Sequence, residues 1–482
     1  MLDLIDKNIL VVGLGGRGRA ACRLLRQAGA RVVGVDGADT AALQANTAAL
    51  RTEGVAVHLG ATTAPAGAFE LAVVAPAVLP NSPLYRDVLA RAIPVIGELE
   101  LGYRLAKCLT LAVTGTNGKG TTAELIECLL TAAHRRTLTA GQRSRPVCSV
   151  VEQTKELDHL ILQVKVQQLE RVEFFRPAVA VLLNLGSDHL NRYATADEYV
   201  RTMARVFANQ QPFDWAIVQS EAMARMRSLN LDVPSKLVTF SATDSAADIY
   251  LDRGLILSRM PNWEGPLLDM AQCRLCGPHN AENLMAALAV GHALRVPLET
   301  MVDAVKSYAA GPHRFEVVAE ANGVQFINDS KATNLDATLQ ALRTVRPGAG
   351  GQPNVWLIAG GRGKGLDYHG AGPLLSARVK GAFLIGEEAE NLRAAWGLFT
   401  PCTPFGSLLE AVSEAARHAS AGDVVLLSPA CSSFDQFRDY QHRGEVFCQA
   451  VKSIYGGASG ANPKMHGGLP PDSRSEAAES AI

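Results

Sequence analysis

Residues 109–122 read LTLAVTGTNGKGTT: an apolar, β-branched run, a glycine-rich loop and the start of a helical pattern. A buried strand that feeds a helix through such a loop belongs to a parallel α/β sheet. Glycine lets backbone N–H groups approach an anion closely, and the helix N-terminus adds partial positive charge. Lys119 can reach terminal phosphates, and a following hydroxyl can ligate Mg²⁺. The spacing departs from GxxxxGK[ST]: Gly120 stands where that motif has its hydroxyl, and Thr121 comes one place later. Nucleotide binding by Gly115, Thr116, Asn117, Gly118, Lys119, Gly120, Thr121 and Thr122 is the expectation; a purely structural turn is the alternative.

The same device opens the chain. NILVVGL at 8–14 is followed by a helical pattern over 19–28 and by RVVGVD, a second strand ending in Asp36. Gly13, Gly15 and Gly18 have GxGxxG spacing, and Asp36 follows about 20 residues on, as in dinucleotide folds. Arg17 and Arg19 favour a phosphate-bearing ligand; a tight turn without ligand is the alternative. Strand-like runs follow at 71–74 and 94–96, and the block closes near 105. A second block, 106–310, carries the loop at 115–122, strand runs at 159–164, 178–183 and 215–218, and helical patterns between and after them, including 281–294. A third, 311–455, contains VQFINDS, VWLIAGG, GAFLIG and DVVLLSP. Each run ends in Gly, Ser, Asp or Pro, as do strand C-termini in open parallel sheets, where ligands bind. From 456 the composition turns to Gly, Pro, Ser and Ala, and a disordered tail is expected. The fold class is therefore α/β in three domains: N-terminal Rossmann-like, central P-loop-type and C-terminal Rossmann-like.

Other classes are excluded or disfavoured. A net charge of −1 gives no electrostatic ground for nucleic acid or a membrane as partner. No stretch of about 18 apolar residues is present, and the N-terminus reads as a buried strand rather than a signal peptide. Nine scattered cysteines suit a reducing compartment. Cys273 and Cys276 with His279 lack a second pair, so two small residues in a strand leading into a loop are expected rather than zinc.

In order along the chain stand GTNGKGTT (115–122), NLGSDHLNRY (184–193), GPHNAENLMAAL (277–288), HRFE (313–316), NDSKATN (328–334), GGRGKGLD (360–367) and LSPACSSFDQF (427–437). In this order the motifs resemble the Mur ligases over residues 1–455, and the last motif, with NDSKATN, resembles their D-glutamate-adding branch. The resemblance implies a cytoplasmic, ATP- and Mg²⁺-dependent ligase, a monomer acting in peptidoglycan precursor synthesis. It would join D-glutamate to UDP-N-acetylmuramoyl-L-alanine through an acyl phosphate. The first domain would bind the sugar nucleotide, with Asp36 at its loop, the second ATP and the third the amino acid. Lys119 and His189 would be catalytic, and Thr121 and His189 would serve the metal. Asn280 and Asn283 would contact adenine; their i, i+3 spacing puts them on one helical face, and an N-cap role for Asn280 is compatible. Arg314 and Asp329 would hold nucleotide. Lys331, Thr333, Lys364, Ser433 and Phe434 would form the D-glutamate pocket, where lysines suit the two carboxylates of that amino acid. A structural role for His189 beside Asp188 is the alternative there.

Several working positions depart from the family pattern. Gln163 replaces a metal-binding glutamate in the segment QVKVQQLE, and a neutral amide is a poorer ligand for a hard cation. Met203 stands where the family has a lysine that is carbamylated to hold a second metal. Lys165 lies nearby and would bring positive charge of its own. Arg17, Ala75-Pro-Ala77 and Gln142-Arg-Ser144 depart in the sugar-nucleotide segments. These changes motivate a second reading, a weakened paralogue that binds nucleotide or precursor without ligation.

Overall fold

The computed structural model describes residues 2–142, 144–186, 192–365 and 367–455. Expectations for His189 and for the tail from 456 lie outside the described residues. Contacts divide the chain into two compact units, Met1–Tyr308 and Ala309–Ile482.

The first unit carries two sheets. The N-terminal one comprises β1 (Asn8–Val12), β2 (Arg31–Val35), β3 (Ala56–His58), β4 (Leu71–Val74) and β5 (Val95–Gly97). These run parallel in the order β3-β2-β1-β4-β5. β1 and β4 are buried almost throughout, as strands covered on both faces must be.

The larger sheet begins with β6 (Leu109–Thr114), β7 (Thr137–Ala140), β8 (His159–Gln163), β9 (Val179–Leu182), β10 (Trp215–Gln219) and β11 (Lys236–Ser241). It continues through β12 (Ile249–Asp252), β13 (Leu255–Ser258) and β14 (Gly265–Asp269). The order is β14-β13-β12-β11-β10-β9-β6-β8-β7. β6 lies inside the sheet between β8 and β9, so its C-terminal end opens among neighbouring strand ends. The helix Lys119–Ala132 leaves that end and buries Ala123, Leu125, Ile126, Leu129 and Leu130, a helical stripe packed on the sheet.

Helical periodicity does not mark β11–β14. The turn between β12 and β13 puts both Arg253 (φ 45°) and Gly254 (φ 87°) in the left-handed region, as a type I′ hairpin requires. Arginine is an unusual choice at such a position. The helix expected over 281–294 begins earlier, at Pro278, where a missing N–H costs nothing.

The second unit holds β15 (Glu316–Ala321), β16 (Val324–Asn328), β17 (Val355–Gly360), β18 (Val379–Ile385), β19 (Cys402–Pro404) and β20 (Val424–Leu427), in the order β15-β16-β20-β17-β18-β19. β16, β20 and β17 are parallel neighbours. Their C-terminal loops are the NDSKATN, SPACSSFDQF and GGRGKGLD segments, which therefore stand side by side. Among the described residues no helix is long and apolar enough to cross a membrane.

Candidate active site

At the end of β6 the chain turns through Gly115 (φ 137°) and Gly118 (φ 84°), which caps the helix Lys119–Ala132. A Cβ at Gly118 would lie 2.3 Å from Asn283 Oδ1, so both conformation and space demand glycine. The loop is held from beneath by Asn184. Its Oδ1 accepts from Asn117 N (2.8 Å), its Nδ2 donates to Asn117 O (3.2 Å) and its carbonyl accepts from Thr116 N (3.1 Å). Thr116 Oγ1 lies 2.9 Å from Tyr199 Oη and accepts from Gly186 N at 2.8 Å. Lys119 Nζ donates to the carbonyls of Gly115 and Thr116, so the ammonium is folded over its own loop. Gly120, Thr121 and Thr122 are buried in the first helical turn.

A hydrogen-bond chain leads from this turn to the helix Pro278–Ala293. Thr122 Oγ1 donates to Asn283 Oδ1 (3.1 Å), Asn283 Nδ2 to Asn280 Oδ1 (3.1 Å), and Asn280 Nδ2 to the Cys276 carbonyl (2.8 Å). The two asparagines do share one face. The N-cap is Gly277 rather than Asn280, which lies inside the helix. Burial lowers His279 to about 4, leaving it neutral, and raises Glu282 to about 7. Cys273 and Cys276 sit in the loop ahead of this helix rather than in a strand.

The N-terminal loop is closed by Asp36. Its Oδ2 accepts from Leu14 N (2.7 Å) and its Oδ1 from Ala38 N (2.9 Å). Arg17 and Arg19, expected to favour a phosphate, have protein partners: Arg17 Nη2 donates to Gly141 O (2.8 Å) and Arg19 Nη1 to Leu14 O (3.3 Å). Arg17 also lies 3.9 Å from the buried carboxylate of Glu98.

In the second unit Asp329 follows β16. Its Oδ1 accepts from Phe315 N (3.1 Å) and its Oδ2 from Ser428 Oγ (3.0 Å). Burial raises its carboxyl to about 7, against the pull of those donors and of Arg314 and Arg443. Arg314 is flanked by His313 (φ 67°) and Phe315 (φ 50°), two left-handed residues that fix its backbone. Lys331 Nζ lies 3.7 Å from the Tyr440 ring centroid, a cation–π contact. Paired backbone bonds between Arg362 and Ser432 join the loops after β17 and β20, which carry Lys364 and Ser433. Ser433 is buried and Thr333 and Lys364 half-buried, whereas Phe434 is 53% exposed.

Sequence reasoning missed Arg443. Its guanidinium is fully buried and donates from Nε to Ser330 Oγ (3.0 Å), from Nη2 to Ser330 O (2.9 Å) and from Nη1 to Cys431 O (3.1 Å). It thereby binds the loop after β16 to the loop after β20. Burial lowers it to about 10, which leaves it charged at neutral pH.

Residues 113–291 match the Mur ligase middle domain, and 313–431 match the Mur ligase glutamate ligase domain. A UDP-N-acetylmuramoylalanine–D-glutamate ligase of Acidobacterium capsulatum is 38% identical over 96% of this chain and 99% of its own length. One of Koribacter versatilis is 35% identical over 94% and 99%. The chain belongs to the Mur ligase family. Among solved structures, the MurF ligase of Thermotoga maritima in complex with ADP shares the fold, with a TM-score of 0.59 at 16% identity over 94% of this chain and all of that one.

The resemblance implies divalent cations beside the phosphates, and the residues fit one such ion better than two. Thr121 supplies a hydroxyl at the loop. At the second position Met203 is 1% exposed, packed among Tyr199, Val200 and Val206, with its Sδ 3.3 Å from Thr114 Oγ1. A buried thioether offers nothing to a hard cation. Gln163 Nε2, an amide donor, is buried without a hydrogen-bond partner among the described residues. Among the described residues no three His, Cys, Asp or Glu side chains gather as a metal cluster.

Proposed function

We propose that this Mur ligase adds D-glutamate to UDP-N-acetylmuramoyl-L-alanine in the cytoplasm, at the cost of one ATP. The supporting observation is the set of three motif loops on adjacent strand ends of the second unit, in a chain similar from end to end to D-glutamate ligases. Residues 1–105 take the sugar nucleotide with Asp36 at the loop, 106–310 take ATP, and 311–455 take the amino acid.

The carboxylate of the precursor attacks the γ-phosphorus of ATP, forming a C(O)–O–P bond as the β–γ bridge breaks and ADP leaves. The backbone donors of 115–122 hold the phosphates, and Lys119 exchanges its loop carbonyls for phosphate oxygens. Mg²⁺, when bound through Thr121, would offset charge on the β- and γ-phosphates. Asn280 and Asn283 exchange their mutual bond for the adenine edge. The D-glutamate amine, having lost a proton, attacks the acyl carbon; the tetrahedral adduct expels phosphate and sheds a second proton to give the amide. Lys331 and Lys364 hold the carboxylates of D-glutamate, with Thr333, Ser433 and Phe434 shaping the pocket.

The test is phosphate release by the full chain with ATP, Mg²⁺, UDP-N-acetylmuramoyl-L-alanine and D-glutamate, each omitted in turn. Release that needs all four is expected. Absence of release from a protein that still binds ATP would replace this reading with that of a binding paralogue.

A further inference from the structure

Next to the phosphate loop, β8 pairs in register with β6, Val113 opposite Gln163, and Val164 N donates to Val113 O at 2.9 Å. Thr114 Oγ1 donates to Val164 O at 3.0 Å. Gln163 and Lys165 therefore bracket a residue bonded directly to the strand that becomes the loop. Leu160, Leu162, Val164 and Val166 all belong to one core cluster, which contains no residue of the helix Lys119–Ala132. Alternation turns Gln163 and Lys165 to the other face. The phosphate-loop helix, none of whose residues enters that cluster, also contacts β8.

Three substitutions thus act together. Met203 has filled its position with a buried thioether closed off by Thr114. Gln163 brings a buried donor, Nε2, with no hydrogen-bond partner among the described residues. Lys165 brings an exposed ammonium two residues on. A buried N–H without a partner costs about 1–3 kcal/mol unless something accepts from it. A cation would be repelled by Lys165 and would gain only a neutral amide oxygen from Gln163, whereas an anion would be held by both.

We infer that Gln163 and Lys165 replace the second metal ion: they bind the oxygens of the precursor's reacting carboxylate and hold them beside the phosphate loop. The enzyme then works with one divalent cation. This inference rests on the ligase reading above.

Two measurements on the full chain test it, neither requiring turnover. The first counts Mn²⁺ bound per chain, by electron paramagnetic resonance, with a non-hydrolysable ATP analogue and UDP-N-acetylmuramoyl-L-alanine present. One ion is expected; two overturn the inference. The second measures calorimetric binding of the same sugar nucleotide to Lys165→Ala, Lys165→Arg and Gln163→Ala. Lys165→Ala and Gln163→Ala are expected to weaken it tenfold or more, Lys165→Arg to restore most of it, and all three to bind the ATP analogue as the parent does. Unchanged binding by Lys165→Ala overturns the inference alone, whereas no binding by the parent chain sinks the ligase reading as well.

Discussion

Lys119 illustrates how one side chain serves two states. Folded over its loop, it satisfies the carbonyls of Gly115 and Thr116; on the function proposed above it would exchange these for phosphate oxygens when nucleotide arrives. Lys119→Ala should keep the fold and lose about 10²–10³-fold in phosphate release, the range for removing one charge-stabilising donor. Unchanged turnover would remove Lys119 from the chemistry. Asp329 makes a thermodynamic prediction of its own. Its carboxyl titrates near 7 in the folded chain against an ordinary 3.8. Between those values the folded state holds the proton and the unfolded state does not. The contribution of Asp329 to stability should then be greatest below about 4 and fall as pH rises toward 7, at up to ~1.4 kcal/mol per pH unit. Urea unfolding at pH 4, 5, 6 and 7 should show a shallower decline for Asp329→Asn than for the parent chain; parallel curves would refute the shift.

Elements here are positioned by a few obligatory contacts. Gly118 ends the phosphate loop in left-handed geometry against Asn283. Gly118→Ala should cost ~1–2 kcal/mol from the backbone alone and abolish ATP-analogue binding, measured by calorimetry. Arg443 fastens the helix Tyr440–Tyr455 to two loops, and Arg443→Met should strand its carbonyl partners and cost ~3 kcal/mol or more. Thermal unfolding would show this, and D-glutamate binding should fall while ATP-analogue binding holds. These two positions also mark what could be read in the sequence. The need for Gly118 is visible because strand, loop and helix are contiguous. Arg443 is invisible because a lone arginine in YQHRGEVF looks like a solvated residue; only the fold brings Ser330 and Cys431 around it. Asp36 was legible as a loop residue, but not that both its oxygens bind backbone N–H groups, one of them 22 residues back. The β12–β13 hairpin escaped notice because Arg253, rather than asparagine or glycine, takes its first left-handed turn position.

At the scale of the molecule, the first unit holds two sheets and the second one, each unit with cores of its own, and exposed residues such as Ala309 and Pro312 stand at the division. Limited proteolysis should cut near 307–312 first, and calorimetry should resolve two transitions. ATP analogue at a hundred times its dissociation constant should stabilise the transition of the first unit by about 2.7 kcal/mol; a single transition moving as one would contradict this. Met203 carries a consequence for the cell as a whole. A lysine at that position would have to capture carbon dioxide before it could hold a metal, and the active fraction of its enzyme would depend on dissolved carbon dioxide. A thioether sealed by Thr114 captures nothing, so this chain should turn over equally well in degassed, carbonate-free buffer, its wall-building step uncoupled from the gas around it.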